Sequence, residues 1–176
     1  MSSKILITGP PRCGKSTLIS KLIDYYRMKN YIIRGFLTPE VRKKGNRIGF
    51  DIVDIFSGEK ARLARAGNNK TRYKVGKYKV FLEEFEEIIT NMNLNKRDKS
   101  DLIFIDEIGK MELFSQKFQN ILRTLFSSDI PILATIGLRI THPIKDFLMN
   151  LPKLLLIHLT RQNFEKIFEE IISIMS

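Results

Sequence analysis

The stretch GPPRCGKST, residues 9–17, constrains the fold of this chain more than any other. It fits the pattern G-x-x-x-x-G-K-[ST] from Gly9 to Ser16, and it follows the apolar run SKILITG, which is typical of a buried strand. The next stretch, KSTLISKLIDYYRMKN, has apolar residues at helical spacing. A glycine-rich turn between a buried strand and an amphipathic helix is the context in which this pattern binds phosphate groups.

Each polar position of the loop has a physical reason. Gly9 and Gly14 allow the backbone to curl so that successive N–H groups face one anion, beside the positive end of a helix. Lys15 is expected to bridge the β- and γ-phosphates, Ser16 to offer a hydroxyl to Mg²⁺, and Thr17 to donate to the α-phosphate. The predicted nucleotide-binding residues of the loop are Gly9, Pro10, Pro11, Arg12, Cys13, Gly14, Lys15, Ser16 and Thr17.

Two residues within the loop have open roles. Arg12 is expected either to reach a phosphate or to face solvent. Cys13 is either an inert filler, which we favour, or an activated thiol at a helix start. Because Cys13 is the single cysteine, no intramolecular disulfide can form, and a cytoplasmic location is favoured.

An acidic pair ends the second buried run, LIFIDEIGKMELF, at residues 102–114. A phosphate loop needs a facing carboxylate at the end of a neighbouring strand, and LIFID offers Asp106. Successive strand residues point to opposite faces, so Asp106 can address Mg²⁺. Glu107, just past the predicted strand, is expected to turn to the γ-phosphate and activate water. The plainer alternatives are a turn residue for Asp106 and a structural carboxylate for Glu107.

The order of strand and helix patterns predicts one α/β domain over residues 1–176, with a mainly parallel sheet between helices. Residues 34–80 read as an antiparallel elaboration, in which YIIRGFLTPEVR and NRIGFDIVDI form a hairpin around KKGN. The segment LNKRDKS is predicted to be a polar connection. No apolar stretch approaches the ~20 residues that a membrane span requires.

The formal net charge is +11, and residues 59–79 hold eight Lys or Arg against one Glu. This segment suggests either a surface for nucleic acid or a rim that attracts phosphate-rich substrates, and we favour the second. Other candidates lie at or after the ends of predicted strands. Thr135 ends the strand PILAT and is either a core hydroxyl or a hydrogen-bond partner of the attacking water or the γ-phosphate. Arg139 and Lys110 are either surface cations or transition-state partners. His142 is expected to start a helix or turn, and His158 to be a satisfied strand residue.

Together, GPPRCGKSTL, GFLTPEVR, GNRIGFDIVDI, KVGKYKV and DEIGKMELFS resemble the small P-loop nucleoside-triphosphatase family of archaea and thermophilic bacteria, which has a cancer-related human relative. The resemblance implies a RecA-like P-loop NTPase fold and Mg²⁺-dependent hydrolysis of ATP, GTP and other nucleoside triphosphates. It places the catalytic carboxylate on Glu107, with Lys15 on the phosphates. It also implies a second nucleotide-contacting stretch, formed by Leu102, Ile103, Phe104, Ile105, Asp106, Glu107, Ile108 and Gly109.

The resemblance weakens in the last third of the chain. LTRQNFEK stands where the family pattern has Thr-x-Glu-Asn-Arg, so an arginine is displaced or missing there. No N-K-x-D-like stretch for reading guanine is present. Two other functions stay open: a nucleotide or polynucleotide kinase, and a nucleic-acid-binding protein switched by a nucleotide. The glutamate beside Asp106 favours hydrolysis over transfer of the phosphoryl group to an acceptor.

Overall fold

The centre of the molecule is a parallel sheet that brings the two motif strands together. The computed structural model describes residues 3–96 and 101–175. The parallel strands lie in the order β10, β1, β9, β8, β2. Their bounds are β1 Lys4–Thr8, β2 Ile33–Leu37, β8 Leu102–Ile108, β9 Ile132–Ile136 and β10 Leu154–His158. The unbroken apolar runs that predicted buried strands are explained by helices on both faces.

An antiparallel extension continues the sheet beyond β2. Strand β2 pairs with β4, and the order continues through β5, β7 and β6, while β3 pairs with β4 alone. The bounds are β3 Glu40–Lys43, β4 Asn46–Asp54, β5 Lys60–Ala66, β6 Lys74–Val75 and β7 Tyr78–Val80. The predicted α/β fold with an antiparallel elaboration is therefore confirmed.

One boundary of the predicted hairpin was wrong. The run YIIRGFLTPEVR is two strands rather than one, since β2 ends before Thr38 and Pro39 and β3 begins after them. Proline lacks the N–H that a ladder needs, so a break there is expected. The turn itself is as predicted, with Lys44 and Gly45 both at positive φ between β3 and β4.

Helices cover both faces of the sheet. The first and last helices pack on one face, and the three middle helices pack on the other. The bounds are α1 Lys15–Met28, α2 Leu82–Met92, α3 Gln116–Phe126, α4 Pro143–Met149 and α5 Phe164–Met175, with a 3₁₀ turn at Glu112–Phe114.

The helix α4 had no predicted counterpart apart from the residue that precedes it, His142. His142 accepts a hydrogen bond on Nδ1 from the Ile144 N–H at 3.1 Å and so caps this helix, which confirms the predicted helix start. Part of the predicted polar connection LNKRDKS, residues 97–100, lies outside the described residues. Among the helices within 3–96 and 101–175, none has the length and apolar character needed to cross a membrane.

Candidate active site

Sheet order places the two motifs at one edge. The phosphate loop follows β1, the acidic pair ends β8, and β9 lies between these two strands. All three strands run parallel, so their carboxyl ends meet at the same edge. In open α/β sheets this edge is where ligands bind. Gly9–Ser16 and the end of Leu102–Gly109 therefore face a common region.

The phosphate loop depends on its two glycines. A Cβ atom at position 9 would lie 2.5 Å from the carbonyl oxygen of Leu159, the residue that follows β10. Only glycine therefore fits at this position. Gly14, at φ 105°, caps the start of α1 in a conformation that L residues rarely adopt. The Lys15 ammonium donates to the carbonyl oxygens of Gly9 at 2.8 Å and Pro10 at 3.1 Å, and so crosses the mouth of the loop.

A residue that follows β10 also holds the loop. Arg161 donates through Nε and Nη2 to the Arg12 carbonyl oxygen, at 3.3 Å each. Arg12 itself is exposed at φ 62°, an uncommon backbone conformation outside glycine. Sequence reasoning noted a displaced arginine in LTRQNFEK but missed this contact. The only available signal for this contact was the order of the strands. The loop after β10 reaches the same edge of the sheet as the phosphate loop, because β10 runs parallel to β1.

Asp106 is held from two directions. Its side chain is buried, and Oδ1 accepts a 2.6 Å hydrogen bond from the Thr135 hydroxyl on β9. The Thr38 hydroxyl, which follows β2, donates to the Asp106 backbone carbonyl at 2.9 Å. The Thr135 hydroxyl is thus buried and bonded to the Asp106 carboxylate, while a contact with the attacking water or the γ-phosphate stays a prediction. The contribution of Thr38 was missed.

Glu107 lies within β8 rather than just past it, and the peptide bond that joins it to Asp106 is cis. The pairing of β8 with β9 also changes register between Ile105 and Ile108. Burial raises the pKa of Glu107, and the neighbouring Asp106 charge raises it further, while Lys15 acts in the opposite direction. A partly buried carboxylate beside the phosphate loop with a raised pKa has the properties of a general base.

The remaining candidates lie at the surface or in the core. Arg139 and Lys110 are exposed on the loops after β9 and β8. Cys13 is buried, with Sγ 3.9 Å from the Lys15 ammonium, and its favoured role as an inert filler stays a prediction. His158 ends β10 with an exposed side chain, and its backbone carbonyl accepts from the Asn163 amide at 2.9 Å.

Oxygen atoms of Ser16 and Asp106 are the candidate ligands for Mg²⁺ at this site. Among residues 3–96 and 101–175 no group of three His, Cys, Asp or Glu is arranged to hold a metal ion. Mg²⁺ bound to a nucleotide usually takes one or two protein oxygens and completes its shell with water and phosphate. An exposed Ser16 hydroxyl at the start of α1 and the Asp106 carboxylate, one oxygen of which Thr135 already occupies, fit that requirement.

A family model described as NTPase matches residues 4–172. The chain belongs to this NTPase family. Nucleoside-triphosphatase THEP1 of Methanocaldococcus jannaschii is 38% identical over 170 residues, which cover 97% of this chain and 95% of that protein. The cancer-related nucleoside-triphosphatase homolog of Mus musculus is 41% identical over 136 residues, or 73% of this chain and 71% of that protein.

Solved structures agree with this assignment. The crystal structure of THEP1 from the hyperthermophile Aquifex aeolicus superposes with a TM-score of 0.82 at 35% identity, covering 98% of this chain and 99% of that one. The solution structure of a human cancer-related nucleoside triphosphatase gives 0.80 at 33% identity. The resemblance drawn from the motifs is confirmed, as is the P-loop NTPase fold.

The basic segment of this NTPase family member lies in the antiparallel extension. Two of its arginines form ion pairs, Arg62 with Glu84 and Arg65 with Asp51. Its other cations have no ion-pair partner in the described part of the chain: Lys60, Lys70, Arg72, Lys74, Lys77 and Lys79. Folding therefore neutralises part of the charge that suggested a nucleic-acid surface, and such binding stays a prediction.

Proposed function

We propose that this chain hydrolyses nucleoside triphosphates, ATP and GTP among them, to nucleoside diphosphate and phosphate, with Mg²⁺ as cofactor. The observation that carries the proposal is the placement of Glu107 beside Asp106, at the strand end that faces the phosphate loop. The names of its relatives support this reaction class. The cytoplasm is the proposed location, as the single cysteine favours.

The phosphate loop supplies binding and charge. Backbone N–H groups between Gly9 and Lys15, with the N-terminus of α1, surround the anionic phosphates. Lys15 already lies over the loop, bound to the carbonyl oxygens of Gly9 and Pro10, so a bound triphosphate would exchange these acceptors for phosphate oxygens. Such charge-assisted contacts are stronger than neutral hydrogen bonds.

The acidic pair divides the remaining tasks. Ser16 and Asp106 would hold Mg²⁺, which when bound neutralises charge on the β- and γ-phosphates. Asp106 is kept in place for this by the Thr135 hydroxyl. Glu107 orients a water toward the γ-phosphorus and takes a proton from it as the bond to the leaving diphosphate breaks. Its raised pKa makes it a better proton acceptor than an exposed glutamate.

The test is turnover and nucleotide affinity of Glu107→Gln. Glutamine keeps the shape of the side chain but accepts no proton, so turnover should fall at least ~100-fold, the usual scale for a general base. Affinity for a non-hydrolysable triphosphate should stay within a few-fold of the parent. Glu170→Gln removes the same charge from an exposed position of α5 and should behave as the parent. Near-normal turnover of Glu107→Gln would overturn the assignment.

A phosphotransferase is the second candidate for this site. Labelled γ-phosphate separates the two functions, because hydrolysis releases free phosphate without any acceptor. A phosphorylated acceptor that forms much faster than free phosphate would favour the kinase.

A further inference from the structure

Glu112 is a buried acid that the reaction described above does not use. It opens the 3₁₀ turn Glu112–Phe114, shortly after β8, and is only 3% exposed. Carboxylic acids are seldom buried to this degree unless they are paired, because an unpaired buried charge is costly. No Lys or Arg forms an ion pair with Glu112 in the described part of the chain.

The Glu107 carboxylate lies close to this acid, on the same side of Gly109. A methyl group on Gly109 would lie 2.6 Å from Glu112 Oε2 and 3.0 Å from Glu107 Oε1. Both distances are below van der Waals contact, so the two carboxyl groups converge on the side of Gly109 that a Cβ atom would occupy. Glycine at this position lets the two side chains approach each other.

The turn that carries Glu112 is firmly anchored. The Leu113 N–H donates to the Gly109 carbonyl at 3.0 Å, and the Ser115 N–H donates to the Glu112 carbonyl at 3.1 Å. The Gln119 amide donates to the Leu113 carbonyl at 2.9 Å, which ties the turn to α3. A carboxyl group on such a support is suited to fix a neighbouring side chain.

Electrostatics agree with a close pair. Burial raises the pKa of Glu112 well above its usual range, and the Glu107 charge raises it further. The backbone N–H groups of Glu112 and Gly109 act in the opposite direction. A carboxyl group buried without a cation partner is favoured in its protonated form, which can donate a hydrogen bond.

We propose that Glu112 is the positioning residue for Glu107, and that its buried carboxyl donates a hydrogen bond that holds the Glu107 carboxylate at the water-activating position. Glu112 does not contact the substrate in this role and acts only through Glu107. The inference rests on the proposed function, in which Glu107 is the general base.

Two substitutions of Glu112 test whether its carboxyl group acts as a hydrogen-bond donor or as an ionised base. Glu112→Gln keeps the shape and a hydrogen-bond donor, so kcat should stay within about 3-fold of the parent. Glu112→Leu fills the buried space without a polar group, and apolar replacements of buried charges are often tolerated. Its kcat should fall ~10- to 100-fold, the scale of a lost hydrogen bond to a charged group, with affinity for a non-hydrolysable triphosphate nearly unchanged. Equal losses in both variants would overturn the positioning role.

A double-substitution cycle gives the readout that a purely structural role would not produce. In the Glu107→Gln background, Glu112→Leu should lower kcat no further, because the group that Glu112 positions is already inactive. An additive loss would overturn the inference. So would a kcat loss that is matched by weaker nucleotide binding and a lower melting temperature. If Glu112→Leu does not fold, Glu112→Asp replaces it: a shorter acid withdraws from Gly109, and parental kcat would contradict the proposal.

The cycle also separates failure of this inference from failure of the proposed function. Normal turnover in Glu107→Gln alone would contradict the proposed function, and this inference with it. Loss of turnover in Glu107→Gln together with parental kcat in Glu112→Leu would contradict the positioning role only.

Discussion

The Thr135 hydroxyl on β9 donates a 2.6 Å hydrogen bond to Oδ1 of Asp106 on β8, and both side chains are buried. Because β9 separates the phosphate-loop strand from the acidic strand, its last residues lie between the two halves of the site. The bond directs one carboxylate oxygen toward β9. Within the described residues Oδ2 has no hydrogen-bond partner, so it would be available to the water shell of Mg²⁺ in the proposed reaction.

Removal of the Thr135 hydroxyl should loosen Asp106 without changing the core. Thr135→Val keeps the branched shape, and the lost hydrogen bond to a charged group is worth roughly 1.5–3 kcal/mol. We expect kcat at limiting Mg²⁺ to fall about 10-fold or more, with partial recovery at high Mg²⁺. The measurement is phosphate release across a Mg²⁺ titration, with thermal unfolding to verify the fold.

Thr135→Ser is the matched control, since serine retains the hydroxyl and should stay close to the parent. Parental activity of Thr135→Val at every Mg²⁺ concentration would mean that the Thr135–Asp106 bond has no part in metal binding.

Arg161 should support the phosphate loop through the Arg12 carbonyl. The two bonds are 3.3 Å long and exposed, so their contribution is modest, of the order of 1 kcal/mol. Arg161→Ala should therefore weaken binding of a non-hydrolysable triphosphate roughly 3- to 10-fold, because the loop loses a support and the site a cation. The dissociation constant at low and at moderate salt is the measurement.

Arg72→Ala is the control for that prediction, because it removes a cation with no ion-pair partner among the described residues from the far end of the sheet. If both variants bind the nucleotide equally, Arg161 acts only through general charge. If the dissociation constant of neither variant differs from that of the parent, the contact between Arg161 and Arg12 does not contribute to nucleotide binding.

Much of this site could be predicted because its signals are local. The pattern from Gly9 to Ser16 needs one strand, one turn and one helix that are contiguous in the chain, and each leaves its own spacing. LIFID indicates a buried strand that ends in an acid for the same reason. The fold class followed from the order of such elements.

The parts that were missed depend on contacts between distant segments. Arg161 contacts Arg12 only because β10 pairs with β1. The register of that pairing cannot be predicted from the sequence of either strand. Thr38 reaches Asp106 because β2 lies beside β8. The break between β2 and β3 was local and could have been recognised, since Pro39 interrupts the ladder.

Lys4, the first residue of β1, makes the stability of the protein depend on pH in an alkaline range. Its side chain is buried, and its ammonium donates to the carbonyl oxygens of Leu125, at 3.3 Å, and of Ile130. Burial lowers the pKa of Lys4 from 10.5 to about 8, while the Asp129 charge acts in the opposite direction. The folded state therefore releases this proton at lower pH than the unfolded state does.

Between pH 8 and pH 10.5 the unfolded chain binds more protons at Lys4, so the free energy of unfolding rises with pH in this range. Below pH 8 both states carry the charge, and the cost of burying it is fully present. Lys4→Met has no such titration. The stability of the parent relative to Lys4→Met should increase by roughly 1–2 kcal/mol as the pH rises through this range, because solvent screening reduces the full effect of the shift. Urea unfolding at each pH is the measurement. A difference that stays constant from pH 8 to pH 10.5 would show that Lys4 titrates alike in both states.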